Sequence, residues 1–366
     1  MNPALLALLV GLSIDVNVAG SIYVNNPILA NSNTAALSPT TRGLNGEAAF
    51  KLVADVSPTV SASVKVCYGC HDFQADQAHM DWTPDEAFNV RLGRFPVPFG
   101  EFYLRHDPAN HRSASKPLPY EMGRMLRRDE FNLTILPEPY PDNGIELYGT
   151  FRGSVAELAW SLYAVAGLKG NAATGDLDFI RSRTEYFADN NRTPSVGGRL
   201  SLSFVDLPAN HVWRLLSLGA SGMGGHYDDE GELSYLLAGV DLYTRIGQVN
   251  VRGELMMRRT AIADRPEQYR QALVDLFTQR EGFYVEVDAP ATRWLEWLVR
   301  LDGFRINGPV RIGSRLPDGE STITRGTAGI NLIPTAAIKL KLNYEYWKFS
   351  DFEDEHLIHT GLVGTF

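Results

Sequence analysis

The sequence predicts an all-β chain, a single transmembrane antiparallel β-barrel of about 16 strands. Three observations predict it. Short segments alternate apolar and polar side chains with period two, the pattern of a strand with one face toward lipid and one toward water. The joints between these segments alternate short and long. No run approaches the roughly 20 apolar residues that a membrane helix needs, although 44% of the 366 residues are hydrophobic.

Composition agrees. Glycine (33), tyrosine (15) and phenylalanine (17) recur at segment ends, where turns and aromatic girdles are required. A formal charge of −9, scattered along the chain, argues against nucleic acid as a partner. Two cysteines are too few for a disulfide-rich scaffold. No Ser–His–Asp spacing or metalloprotease motif appears, so an enzyme is not expected. The glycines of Ser221-Gly222-Met223-Gly224-Gly225-His226 open no helix and make no phosphate cradle.

Taken in order, residues 1–12 read as the remnant of a signal peptide, with Pro3 to Leu12 as its apolar run, and 13–366 as one barrel. From Leu12 to Asn25, Ile14, Val16, Val18, Ile22 and Val24 share one face. Phe50, Leu52, Ala54 and Val56 oppose Lys51 and Asp55; Val60 to Val66 oppose Ser61, Ser63 and Lys65. Ala78, Met80 and Trp82 oppose His79 and Asp81, and Phe88, Val90 and Leu92 oppose Asn89 and Arg91. Further strands are expected near 143–152, 155–167, 195–206, 211–222, 233–245, 247–259, 281–289, 294–305, 321–333, 336–348 and 356–366. The long joints fall at 26–43, 67–74, 96–142, 168–194, 223–232, 260–280, 306–320 and 349–355. This is the layout of a bacterial outer-membrane barrel, with tight periplasmic turns and longer outer loops, and it places the chain among outer-membrane lipids. The polar faces make Lys51, Lys65, Arg91, Arg252, Glu254, Arg300, Lys339, Lys341 and Glu345 the expected lining of a passive channel.

Leu92-Gly93-Arg94-Phe95-Pro96-Val97-Pro98-Phe99-Gly100 resembles a segment of phosphate-selective porins of the O/P type, and Ala78 to Pro84 is similar to that family's preceding strand and turn. The likeness covers 45–100 well and the rest in architecture. It implies a porin-like barrel, often a homotrimer, whose third loop (here 96–142) folds inward. That loop carries Arg105, Arg112, Lys116, Arg124, Arg127 and Arg128 beside Glu101, Asp107, Glu121, Asp129 and Glu130. An anion-preferring constriction and a set of solvated loop charges are both open. The terminal Phe366 resembles the signal read by the barrel assembly machinery.

Cys67-Tyr68-Gly69-Cys70-His71 is the attachment pattern of haem c: two thiols add to the porphyrin vinyls and the adjacent imidazole ligates the iron. A C-x-x-C disulfide and a soft-metal site, with His79 nearby, are the alternatives. Candidate distal ligands are His79, His106, His111, Met122 and Met125. Within a barrel the motif resembles the cytochrome–porin fusions of iron-oxidising bacteria. That resemblance implies electron transfer at or across the outer membrane, with a multihaem cytochrome or another periplasmic electron carrier as partner. The expectation is a channel bearing one haem; the alternative is a plain diffusion porin with a loop disulfide and no haem.

Overall fold

A computed structural model describes residues 15–29, 45–69, 72–121, 134–171, 176–185, 187–204, 213–263, 276–309, 319–350 and 353–366. Sixteen long strands form the wall: β1 (Asp15–Leu29), β2 (Asn45–Ser57), β3 (Val60–Gly69), β4 (Asp72–Trp82), β5 (Asn89–Pro96), β6 (Pro141–Arg152), β7 (Ala156–Val165) and β8 (Ser195–Phe204). They continue as β9 (Trp213–His226), β10 (Ser234–Ile246), β11 (Val249–Ala261), β12 (Phe277–Thr292), β13 (Leu295–Asn307), β14 (Ser321–Thr335), β15 (Ile338–Phe349) and β16 (Glu355–Thr365). Each pairs antiparallel with the next, and β1 pairs with β16 from Ser21↔Thr365 to Leu29↔Leu357, closing the barrel.

The period-two pattern becomes a physical partition. On β15, Leu340, Leu342 and Tyr344 point outward and are 41–46% exposed, whereas Lys341, Asn343 and Glu345 point inward and are at most 2% exposed. β13 repeats it, with Val299 and Leu301 outside and Arg300 and Asp302 inside. This inverts a soluble protein. A belt of exposed Leu, Val, Ile and aromatic side chains around the wall is stable only against lipid. Among the described residues no helix is long and apolar enough to cross a membrane. The apolar core lies inside the barrel, where Phe95, Phe99, Phe102, Leu118, Tyr120, Ile135, Leu168, Phe179, Tyr235 and Tyr284 pack between the wall and two inward loops.

One expected loop is strand instead. β3 runs to Gly69 and β4 starts at Asp72, paired with each other, so residues 67–69 and 72–74 belong to a tight hairpin. The cause is a bulge: Lys65 pairs with Gln77 but Val66 with Ala75, so Asp76 is an extra residue on β4. The bulge breaks the alternation around Asp76, which is why 72–74 reads as loop in the sequence. The long loop is one or two residues shorter than expected at each end, spanning 97–140. β12 is longer than the expected 281–289, since Arg280 and Thr278 continue its inward face.

The lumen and its inward loops as candidate functional site

The wall supplies an ordered interior of ion pairs. Arg91 on β5 contacts Asp81 at 2.7 Å and Glu146 at 2.8 Å, and its guanidinium lies over the Tyr148 ring. Arg199 on β8 forms a two-pronged pair with Asp241. Arg252 binds Asp288, and Asp302 serves both Arg300 at 3.1 Å and Arg325 at 3.0 Å. Cross-strand pairing places these partners on one face by register: Arg252 stands opposite Glu286, and Asp302 opposite Arg325. Pairing of this kind offsets the cost of burying the charges.

The long loop leaves β5 at the mouth end and closes on itself where the Val97 amide donates to the Tyr140 carbonyl at 3.0 Å. Gly100 makes the first turn. Its φ is +69°, and a Cβ there would fall about 2 Å from the Tyr120 hydroxyl and the Glu254 carboxylate, so only glycine fits. Glu254 then accepts from the Phe102 amide at 2.7 Å, the Glu101 amide at 3.2 Å, Tyr284 at 2.7 Å and Tyr120. Phe102 stacks on Tyr120 with ring centroids 5.0 Å apart.

Farther down, the loop reaches the start of β15 beside the 336–337 turn. Lys341 donates to the carbonyls of Pro108, His111 and Ser113 at 2.6–3.0 Å, and Lys339 to that of Ala109 at 3.4 Å. Arg112 binds Glu296 at 2.7 Å. The returning limb is held as firmly. Ser115 donates to Glu345, Arg300 donates to the Ser115 carbonyl, and Asp302 accepts from the Leu118 amide at 3.0 Å. On the opposite side Asp107 takes an ion pair from Lys65 on β3. The loop's polar contacts with the wall thus fall on β3, β9 and β11–β15, while Tyr103 approaches Arg91, Glu146 and Arg199.

Loop electrostatics follow from this enclosure. Burial pushes the Asp107 carboxyl up, but His106 and Lys65 outweigh it and hold it at about 2. Burial lowers His106, and burial beside Lys341 and Lys116 lowers His111 well below the ordinary imidazole value. Burial drives Glu138 well above the carboxylate range and the Tyr103 phenol up to about 12. Asp107 is therefore the ionised acid of the loop's tip, and His106 and His111 are neutral at pH 7.

A second loop, 166–194, crosses the mouth. Gly167, at φ +98°, donates to Asp142 at 2.7 Å, and Leu168 to the Tyr235 hydroxyl at 3.1 Å. A two-residue ladder (Gly170–Asn171 with Asp176–Leu177) follows, then a short helix, α1 (Phe179–Thr184), N-capped by Asp178. Asp176 meets Arg258 and Arg280 on β11 and β12, while Arg183 reaches Gln74 on β4 at 2.8 Å.

All nine residues expected to line the lumen stand on inward faces, and eight of them meet the long loop or another charged wall residue as described. Arg252 meets the wall only, and Lys51 is half-buried with Lys65, Asp107 and Arg91 as its nearest charges. The haem constellation is not assembled by the described residues. Cys67 is a free thiol on β3, between Ala49 and Gln74, and its Sγ donates to Asp76 at 2.9 Å. Cys70, His71, Met122 and Met125 lie outside the described residues. His79 is held between Asp81 (3.3 Å) and the Arg94 carbonyl (3.2 Å). His106 has its Nδ1 2.6 Å from the Tyr103 carbonyl, and His111 is buried beside Phe102. Among the described residues no three His, Cys, Asp or Glu side chains form a metal cluster. Arg199, Arg258, Arg280, Arg325 and Asp302 were missing from the expected lining. Extending each strand's inward parity past its first charged residues would have found them.

No protein-family model matches the chain, and no curated protein matches it. Solved structures do. The outer-membrane channel DcaP of Acinetobacter baumannii superposes with a TM-score of 0.61 at 10% identity, over 97% of this chain and 98% of that one. Salmonella typhi OmpF, solved with daunomycin, gives 0.59 at 8% identity, covering 96% and 97%. An anion-selective porin from Comamonas acidovorans gives 0.57 at 11% identity, covering 97% and 100%. The fold is that of bacterial outer-membrane porins.

Proposed function

We propose that the chain is a passive diffusion channel of the bacterial outer membrane for small hydrophilic solutes. One observation carries this reading: along the middle of the strands the charged side chains face the inside of a closed wall whose outside is apolar there, with outward charges such as Arg259, Arg305 and Lys348 near strand ends, while the inward loop is fastened to one part of that wall. The loop takes its polar contacts from β3, β9 and β11–β15. The solute path runs along the other part, between Tyr103 and Leu104 of the loop and Asp81, Arg91, Glu146, Tyr148, Ser201 and Ser203 of β4–β8. Leu104 is 61% exposed, and Arg91 and Tyr148 are half-buried. Alternating Arg and carboxylate along the path favours hydrated polar solutes over a single sign of charge, since each arginine there already has an acid beside it.

The Vibrio cholerae protein OmpT, of the same fold, is described in a trimer form; a homotrimer embedded in outer-membrane lipid is the assembly we assign to this chain. Phe366, at the end of the closing strand and 75% exposed, is the residue offered to the assembly machinery. This reading calls for no haem and no electron-carrying partner; the Cys67 thiol donates to Asp76 within a strand paired on both sides. Purified barrels in planar bilayers are expected to give discrete, ohmic conductance steps. A folded barrel that passes no ions ends the proposal, and a covalent haem retained through acid acetone, read by pyridine haemochrome, replaces it with the redox reading.

A further inference from the structure

Arg258 and Arg280 stand directly opposite each other across β11 and β12, and they are 0% and 1% exposed. Like charges directly opposite in a sheet destabilise it, and a buried charge left without a partner costs more than an ion pair returns. Among the described residues a single carboxylate answers both. Asp176 of the mouth loop lies 3.4 Å from Arg258 Nη2 and accepts from Arg280 Nη2. Arg258 also donates to the Ile135 carbonyl at 3.1 Å. The remainder is unanswered: Nε of Arg258, Nε and Nη1 of Arg280 and Oγ1 of Thr260, the next inward residue of β11, are buried without a hydrogen-bond partner. Among the described residues two guanidiniums stand against one carboxylate. The other inward arginines differ: Arg325, also 0% exposed, has Asp302, Glu121 and Glu345 within 3.6 Å.

We propose that the Arg258–Arg280 pair is a binding site for a small carboxylate solute, and that Asp176 is its internal, exchangeable occupant. The two arginines are fixed on neighbouring strands of the wall, whereas Asp176 is carried by a loop and held by a two-residue ladder, so the acid is the partner free to leave. The planar fork of a guanidinium holds a carboxylate on two N–H groups, Nε with Nη2; on Arg280 the Nε is unpartnered and Nη2 is the group that Asp176 occupies, so the departure of Asp176 opens that fork. A solute carboxylate entering from the mouth takes that fork in place of the Asp176 carboxylate. Release of Asp176 then detaches the mouth loop from β11 and β12, so that binding and opening of the mouth are one event. The proposal rests on the channel reading for the source of its ligand.

The test measures binding of carbon-13 acetate to the purified, folded barrel by line broadening, with no current involved. Asp176→Asn removes the competing charge while keeping the side chain's shape, and is expected to bind acetate about tenfold more tightly than the unaltered protein. Arg280→Gln leaves Arg258 and Asp176 as a one-to-one pair, so the barrel keeps its heat-resistant gel mobility, and acetate broadening is expected to disappear. Acetate bound no more tightly by Asp176→Asn, or equally well by Arg280→Gln, overturns the proposal. A barrel that conducts but shows either result keeps the channel reading and loses the site; one that binds acetate as expected but passes no ions does the reverse.

Discussion

Glu254 gathers the long loop at one point: two loop amides, the loop phenol of Tyr120 and the wall phenol of Tyr284 all donate to its carboxylate. Replacing it with alanine strands four buried donors, each costing about 1–3 kcal/mol. Glu254→Ala is therefore expected to free the loop's first limb, raise single-channel conductance and lower the denaturant midpoint of unfolding. Glu254→Gln, which retains one acceptor, is expected to show a smaller change in both. An unchanged conductance in a folded alanine variant would mean that the loop is held elsewhere. The inward position of Glu254 was legible from its alternation with Val251, Gly253 and Leu255. Its partners were not, because Tyr120 and Phe102 come from a segment with no periodicity. The same limit applies at Cys67. The spacing Cys67–Cys70–His71 is a chemical pattern in the sequence, but the thiol's neighbour, Asp76, is brought to it by a bulge that the sequence does not announce.

Strands were the most legible elements, since lipid on one side and water or loop on the other impose a two-residue period that sequence preserves. β15 shows it most plainly, and it supplies a test of the partition. Leu342 lies near the middle of the strand and is 46% exposed outward. Leu342→Arg places a charge in hydrocarbon at a cost of about 2–4 kcal/mol. It is expected to reduce the folded fraction, read as heat-modifiable gel mobility, more than Leu342→Phe does. Equal folding of the two variants would put this face away from lipid. Loops were legible by length alone. That 97–140 folds inward was expected from a resemblance. That 166–194 also crosses the mouth, tied to β11 and β12 by Asp176 and to β4 by Arg183, followed from no pattern, because its anchors are single charges far apart in sequence.

At the scale of the whole molecule, stability depends on closure. β1 and β16 exchange their edges through nine paired positions, and an open edge in hydrocarbon would leave a row of unpaired amides and carbonyls. Removal of 355–366 is expected to abolish heat-resistant barrel in detergent and leave protein that unfolds below boiling, whereas removal of 1–12 is expected to spare it. A truncated chain that still migrates as a folded barrel would show that β15 can pair with β1.

What the sequence determined by itself was the wall: its strand number, its order, the face each side chain takes and the membrane that surrounds it. Those follow from local alternation and the lengths of joints, and both are written in consecutive residues. What only the tertiary structure decided was the interior. Which charge meets which, where the loops are fastened, and that Arg258 and Arg280 share one acid all depend on strands and loops as much as 233 residues apart meeting in the lumen. Register and long-range burial set those contacts, and neither has a period along the chain.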